Sequence, residues 1–143
     1  MKEILDKNNV VLNAQVSNME EAITLCGNVL CQNGYADEKY IDDMLEKEKV
    51  CPSYIGCNIA IPHGFTRSAE LIKHSGVSVL QIPAGFQLDS GEMVYVVFGI
   101  AGLNDEHLQI MGSIAVVCSE SSNIDKLRKA VTEEEIINIL KTE

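Results

Sequence analysis

The segment from Met93 to Ile100, MVYVVFGI, is almost continuously apolar. A strand with one solvated face alternates apolar and polar residues, so this run predicts a strand covered on both faces. Val77–Ile82 is a second predicted strand, and turns are expected at Pro83-Ala84-Gly85 and Asp89-Ser90-Gly91 between the two. A strand of this kind needs a helical layer on each side of its sheet.

Two helices are predicted before these strands. Ser17 and Glu20 have the spacing of a capping box, and Asn33-Gly34 ends the helix that follows. Asp37 is expected to cap a second helix, which ends in a run of alternating charge, Glu46–Lys49. An edge strand is predicted at Val10–Leu12, before the first helix. After the second helix come a predicted loop at Cys51–Asn58 and a short strand at Ile59–Ile61, which Pro62 stops.

Three further helices are predicted after the last strand. Asn104 or Asp105 is expected to cap the first of them, and Thr132 and Glu135 have capping-box spacing before the last. Helices therefore alternate with strands, which predicts an α/β fold: a single-domain sandwich with a small mixed β-sheet flanked by helices. We expect residues 1–143 to form one domain, and the pattern leaves the strand order open.

Composition excludes several classes of partner. The chain has 21 acidic and 11 basic residues, a formal charge of −10, and no tryptophan. Such a surface repels nucleic acid and anionic lipid, and few aromatic side chains are available for stacking on bases. We therefore expect no nucleic-acid partner, and a protein partner with a positive face would be favoured. An ordinary acidic surface without a partner explains the same charge.

The cysteines and the missing motifs limit localisation and cofactors. Five cysteines, no signal-peptide pattern and no long apolar run indicate a cytoplasmic chain with reduced thiols. No Cys-x-x-Cys spacing is present, and a metal site of Cys57, His63 and His107 would lack a carboxylate at diagnostic spacing, so no metal is expected. No phosphate-binding glycine loop or serine-hydrolase motif occurs, and no cofactor is predicted.

His63 is the first candidate for chemistry, within Ile61-Pro62-His63-Gly64. An apolar strand leads the chain to the surface at its carboxyl end, and α/β proteins commonly place their sites at strand ends. Pro62 keeps Ile61 extended, and Gly64 would allow positive φ and leave room for another molecule beside the imidazole. A turn histidine without any chemistry would show the same pattern.

Two more side chains are candidates for binding an anion. His107 lies in the predicted first turn of a helix, where free N–H groups and the helix dipole favour a phosphoryl oxygen. One of the lysines of the charged run, Lys47 or Lys49, could neutralise phosphate as a point charge, and Lys47 is the candidate. Each has an ordinary alternative, a surface histidine near a cap and a solvated helix end. His74 is expected to be exposed and is assigned no role.

The stretch from Tyr54 to His63 and Gly64, YIGCNIAIPHG, resembles the phosphorylation-site motif of one protein family. The family comprises the mannitol/fructose-type IIA domains (EIIA, type 2) of the bacterial phosphoenolpyruvate-dependent sugar phosphotransferase system. Other segments agree with it in order and spacing: Asn9–Leu12, Glu20–Ile23, Gly34-Tyr35, Met44–Val50, Gly99–Ala101 and Asn104–Gln109. The resemblance covers nearly the whole chain and is nearest to the mannitol branch.

This resemblance implies a phosphotransferase component that works as a phosphocarrier. His63 would accept a phosphoryl group on Nε2 from the phosphohistidine of HPr, and His107 would contact that group. The next acceptor would be a cysteine of an EIIB domain, and an EIIC membrane domain would carry the sugar, most simply mannitol. The chain would then meet the membrane only through this permease.

Two positions depart from the family pattern. Lys47 stands where an arginine is common, so the charge is kept but the planar fork is lost. Cys57 stands where an acid is common, and a thiol orients an imidazole poorly.

A regulatory module, in which phosphorylation of His63 controls binding to a target protein, is the first alternative function. An inert relative that keeps the fold is the second.

Overall fold

A computed structural model of the protein describes residues 3–141. The strands, in chain order, are β1 (Val10–Val11), β2 (Tyr54–Gly56), β3 (Ile59–Ala60), β4 (Gly76–Gln87) and β5 (Met93–Ala101). They form one sheet in the order β1-β4-β5-β3-β2. The central pair β4 and β5 is antiparallel, whereas β1 pairs with β4 and β3 with β5 in parallel. The predicted small mixed sheet is therefore confirmed, and its first strand lies at an edge as expected.

Five α-helices surround the sheet in the described part of the chain. They are α1 (Met19–Gln32), α2 (Lys39–Val50), α3 (Glu106–Cys118), α4 (Ser121–Lys129) and α5 (Glu133–Leu140). Short 3-10 helices span Lys7–Asn9 and Thr66–Leu71. Within residues 3–141, none of the helices combines the length and the apolarity that crossing a bilayer requires.

The core consists of two apolar clusters, one on each face of the sheet. Val97 of β5 packs in the cluster that contains α1 and α2. Its neighbours Val96 and Phe98 pack in the cluster that contains α3, α4 and α5. Successive side chains of a strand point to opposite faces, so both faces of β5 are buried. This explains the continuous apolar run and confirms the sandwich.

Two turn predictions were wrong. Cys51–Asn58 is not a loop throughout, because β2 pairs with β3 across a two-residue turn of Cys57 and Asn58. Both turn residues have positive φ, 56° and 65°, which fits the twist of a tight hairpin. Pro83-Ala84-Gly85 is not a turn either, because β4 continues through it with a bulge between Gln81 and Phe86. The predicted turn at residues 89–91 does join β4 to β5.

Most predicted helix ends agree with the structure. Asn33 ends α1 and is followed by Gly34 at φ 83°, and the Thr132 side chain caps α5 by accepting from Glu135 N–H. The α1 cap is wrong by one residue, since Asn18 accepts from the Glu21 N–H in place of Ser17. The predicted cap of α3 is also wrong, because Asp105 precedes the helix without making a side-chain capping bond.

Candidate active site

His63 lies at the carboxyl end of β3, as the sequence predicted. Beyond the strand the chain still follows β5. The Pro62 carbonyl accepts from Ile100 N–H at 3.0 Å, and His63 forms an isolated parallel β-bridge with Ile100. Ile59 and Ile61 pack on the α3 side of the sheet, and Ala60 packs on the α2 side. If this alternation continues, His63 belongs to the α3 side and the next residue belongs to the α2 side.

The His63 ring is held by the backbone of its own strand. Nδ1 lies 3.0 Å from the Ile61 carbonyl oxygen. A carbonyl can only accept, so Nδ1 carries the hydrogen and the neutral ring has its lone pair on Nε2. Partial burial lowers the pKa of His63, the bond to the Ile61 carbonyl raises it, and the Coulombic effects of Lys47 and His107 lower it further. The ring is therefore uncharged near neutral pH.

His107 is the second residue of α3, and the structure brings it next to His63. The two ring centroids are 6.2 Å apart and the planes are inclined by 36°. Among the described residues, the His107 N–H has no acceptor, and the Asp105 side chain makes no capping bond. Gly102 permits this close approach, because a Cβ there would lie 2.4 Å from the His107 nitrogen. The start of α3 thus offers the unpaired N–H that the sequence predicted.

A cleft of about 310 Å³ contains both imidazoles. Its walls come from the segment after β3 and from the loop before α3, including Phe65, Thr66 and Asn104. A larger groove of about 750 Å³ lies between the N-terminal segment, α3 and the end of α5, but neither histidine lines it. Both candidate histidines therefore lie in the smaller cleft.

Lys47 is half-buried on α2, and its charge reaches the site, since it lowers the pKa of His63. Within residues 3–141 it makes no ion pair, whereas Lys49 pairs with Glu46 at 3.4 Å. The sequence predicted one of these lysines as a phosphate contact, and Lys47 is the one with an uncommitted charge beside the imidazole.

Sequence reasoning missed two polar residues of α2 that hold the segment after His63. The Tyr40 hydroxyl accepts from Gly64 N–H at 2.9 Å, and Asp43 accepts from Phe65 N–H at 2.8 Å. In the sequence, the spacing of Tyr40, Ile41, Met44 and Leu45 predicts only the apolar face of the second helix. The signal that could have revealed both is their spacing from Lys47, which places all three on one side of α2.

Gly64 has a different role from the predicted one. Its φ is not positive, and the room beside it is already filled from α2. A Cβ on Gly64 would lie 2.3 Å from Asp43 Oδ2 and 2.5 Å from Tyr40 Cε1. The missing side chain therefore allows α2 to approach the backbone, rather than leaving space for a second molecule.

Cys57 lies away from the cleft, in the exposed turn between β2 and β3. It lines a separate cavity of about 130 Å³ with Cys118 and Arg128. The Ile61 carbonyl, not position 57, orients the His63 ring. Within the described residues, no group of three or more His, Cys, Asp and Glu side chains is arranged to hold a metal ion.

The chain is similar over most of its length to known proteins of one family. Residues 3–143 match the model of the family described as phosphoenolpyruvate-dependent sugar phosphotransferase system, EIIA 2. The chain is 50% identical over 137 residues to the mannitol-specific phosphotransferase enzyme IIA component of Geobacillus stearothermophilus, covering 96% of this chain and 94% of the relative. It is 47% identical to the protein of the same name from Bacillus subtilis (strain 168), covering 96% of each.

A solved structure shares the fold. It is a complex of enzyme IIAMTL and phosphorylated enzyme IIBMTL from Escherichia coli, and one of its chains superposes with a TM-score of 0.91 at 30% identity. The match covers 97% of this chain and 98% of that one.

Proposed function

The chain belongs to the EIIA 2 family of the phosphoenolpyruvate-dependent sugar phosphotransferase system, and we propose that His63 is the residue on which it carries phosphate. It is a phosphotransferase component, a phosphocarrier between other proteins of that system. In the proposed role HPr is the donor, the acceptor is a cysteine of a mannitol-type EIIB, and the EIIC permease moves mannitol. We propose that residues 1–143 form one domain that works in the cytoplasm, where these partners meet it.

The observation that supports His63 is the state of its ring. Nδ1–H donates to the Ile61 carbonyl, so the available lone pair of the neutral ring is on Nε2. Burial, Lys47 and His107 together lower the pKa of His63, which keeps this nitrogen unprotonated at neutral pH. A nucleophile in this state needs no separate general base.

The transfer step follows from the same contacts. The Nε2 lone pair forms a bond to phosphorus while the bond from phosphorus to the donor ring breaks, and the donor nitrogen keeps that electron pair. The His63 ring then carries positive charge, which the bond from Nδ1–H to the Ile61 carbonyl stabilises. The second transfer reverses these roles, with a cysteine thiolate as the attacking group.

Phosphoryl transfer depends mainly on positioning and on positive groups around the phosphoryl oxygens. We propose that His107 contacts these oxygens with its ring and its unpaired N–H, and that Lys47 supplies a point charge. His107 lies 6.2 Å from His63 between ring centroids, a separation that leaves room for a phosphoryl group between the rings.

The test is incubation with phosphoenolpyruvate, enzyme I and HPr, followed by mass spectrometry and peptide mapping. We expect one phosphoryl group on His63, no labelling of His63→Ala, and labelling of His107→Ala that is slower by about 10²-fold, the typical effect of losing one preorganised donor. His74→Ala is the matched control and should label like the wild type. Labelling on another side chain would refute the assignment of His63, and equal total loss in both variants would refute the separate roles.

A further inference from the structure

The Tyr40 hydroxyl connects the two segments that carry the histidines. It donates to the Ile100 carbonyl at 2.7 Å and accepts from the Gly64 N–H at 2.9 Å. Gly64 directly follows His63, and Ile100 lies at the end of β5, from which the chain runs through Gly102 into α3 and His107. One side chain from a third element thus joins both halves of the cleft.

Asp43, one turn further along α2, holds the next part of the His63 segment. Its Oδ2 accepts from Phe65 N–H at 2.8 Å and its Oδ1 accepts from Ser68 Oγ at 2.7 Å. Phe65 precedes the 3-10 helix Thr66–Leu71 and makes no capping bond with its own side chain. Asp43 therefore provides the cap from another helix, and two successive N–H groups after His63 are bound by α2.

These bonds are directed at the cleft rather than at the core. Tyr40 is 2% exposed, and its ring packs in the apolar cluster of α1 and α2. A phenylalanine ring would fill this space equally well. The hydroxyl, in contrast, reaches backbone beside the reacting histidine. Burial raises the pKa of Tyr40, so its hydroxyl stays protonated and remains a donor to Ile100 across the physiological range.

We infer that Tyr40 and Asp43 are positioning residues for phosphoryl transfer, which set the separation and angle of the His63 and His107 rings from α2. The inference rests on the proposed function of His63. In-line transfer tolerates little error, and a displacement of about 1 Å can lower a rate by about 10²-fold. Without the Tyr40 hydroxyl, the Gly64 N–H and the Ile100 carbonyl lose their common partner. The bond from Ile100 N–H to the Pro62 carbonyl still joins the two segments, but α2 no longer fixes the backbone that follows His63.

The experiment is Tyr40→Phe, which keeps the buried ring and removes the hydroxyl. We expect the rate constant for transfer from phospho-HPr to fall by about 10–100-fold, with an unchanged HPr concentration at half-saturation, because the variant alters geometry and not the docking surface. The ring resonances of His63 and His107 should both shift in NMR spectra of the variant.

Tyr35→Phe is the matched control. Tyr35 is 1% exposed, and its hydroxyl also bridges two segments, accepting from Asn9 Nδ2 and donating to the Glu3 carbonyl, away from the cleft. It should lower Tm to a similar extent while leaving the transfer rate and the histidine resonances at wild-type values. Equal effects of the two variants on the rate would overturn the inference and reduce Tyr40 to a stabilising core residue.

Asp43→Asn keeps the inference falsifiable if Tyr40→Phe does not fold. We expect a slower rate at unchanged half-saturation, since an amide cannot accept at both of its ends. A folded Asp43→Asn protein with wild-type transfer would overturn the role of Asp43. The proposed function fails separately, if the wild-type chain is labelled elsewhere than on His63.

Discussion

Replacing Gly64 by alanine should both destabilise the protein and slow transfer. The new Cβ would lie 2.3 Å from Asp43 Oδ2 and 2.5 Å from Tyr40 Cε1, where ordinary contacts begin at 3.4 Å. The φ of Gly64 is not in the left-handed region, so alanine is allowed by its backbone. The steric conflict with α2 alone produces the effect.

The magnitude follows from these distances. The Asp43 side chain can turn away from the new Cβ, but the buried Tyr40 ring cannot, and moving Cε1 from 2.5 Å to 3.4 Å requires a displacement of 0.9 Å between α2 and the His63 segment. Overpacking of this kind costs about 1–3 kcal/mol, and loss of the bond from Phe65 N–H to Asp43 adds about 1 kcal/mol. A displacement of about 1 Å beside the nucleophile should lower the transfer rate by about 10²-fold.

Urea unfolding followed by circular dichroism measures the stability, since the chain has no tryptophan for fluorescence. Gly112→Ala is the matched control, because no atom lies within 4 Å of the new Cβ and Gly112 is inside α3. It should raise the free energy of unfolding by about 0.5–1 kcal/mol through helix propensity. If Gly64→Ala is as stable as this control, the steric argument is wrong. If it is destabilised but transfers at the wild-type rate, α2 yields and the His63 segment does not move.

Two further predictions concern charge and buried polar groups. Lys47→Gln removes a charge that lowers the pKa of His63, so that pKa should rise and the fall in transfer rate on acidification should begin at higher pH; NMR titration of the ring measures it, and an equal shift in Lys49→Gln would contradict the assignment. Gln81 is 1% exposed and donates at 2.7 Å to two carbonyls at the end of α4, so Gln81→Leu should lower the free energy of unfolding by about 2–3 kcal/mol. Urea unfolding tests this, with the exposed Gln87→Leu expected to be nearly neutral.

The sequence was most informative where one local pattern had one structural outcome. The apolar run of β5 needed two covering layers, and β3 ends at Ala60, one residue before the predicted end at Ile61 and close to His63. His107 could be placed in the first turn of a helix because the preceding residues suit a helix start. Resemblance to a known motif then connected the two histidines, which are 44 positions apart in the chain.

The hydrogen bonds from Tyr40 and Asp43 to the His63 segment could not be predicted, because they join residues that are far apart in the chain. Tyr40 has the spacing of a core residue, and its ring is one, so nothing local indicates that its hydroxyl reaches Gly64 and Ile100. Gly64 was read as a space for another molecule, since a sequence does not show which element fills the room beside a glycine. The bulge at residues 81–86 was missed for a related reason, because proline and glycine mark both turns and bulges.

The two-residue turn at Cys57 and Asn58 fixes the register in which β3 pairs with β5, and therefore the face of the sheet on which His63 lies. Ile59 opposes Val96 and His63 opposes Ile100, the same offset of 37 positions. Side chains alternate with a period of two, so a slip by a single position would exchange the environments of His63 and Gly64. The imidazole would then be driven against α2, and an empty glycine would face His107. The length of the β2–β3 turn thus decides on which face of the sheet His63, the proposed nucleophile, lies.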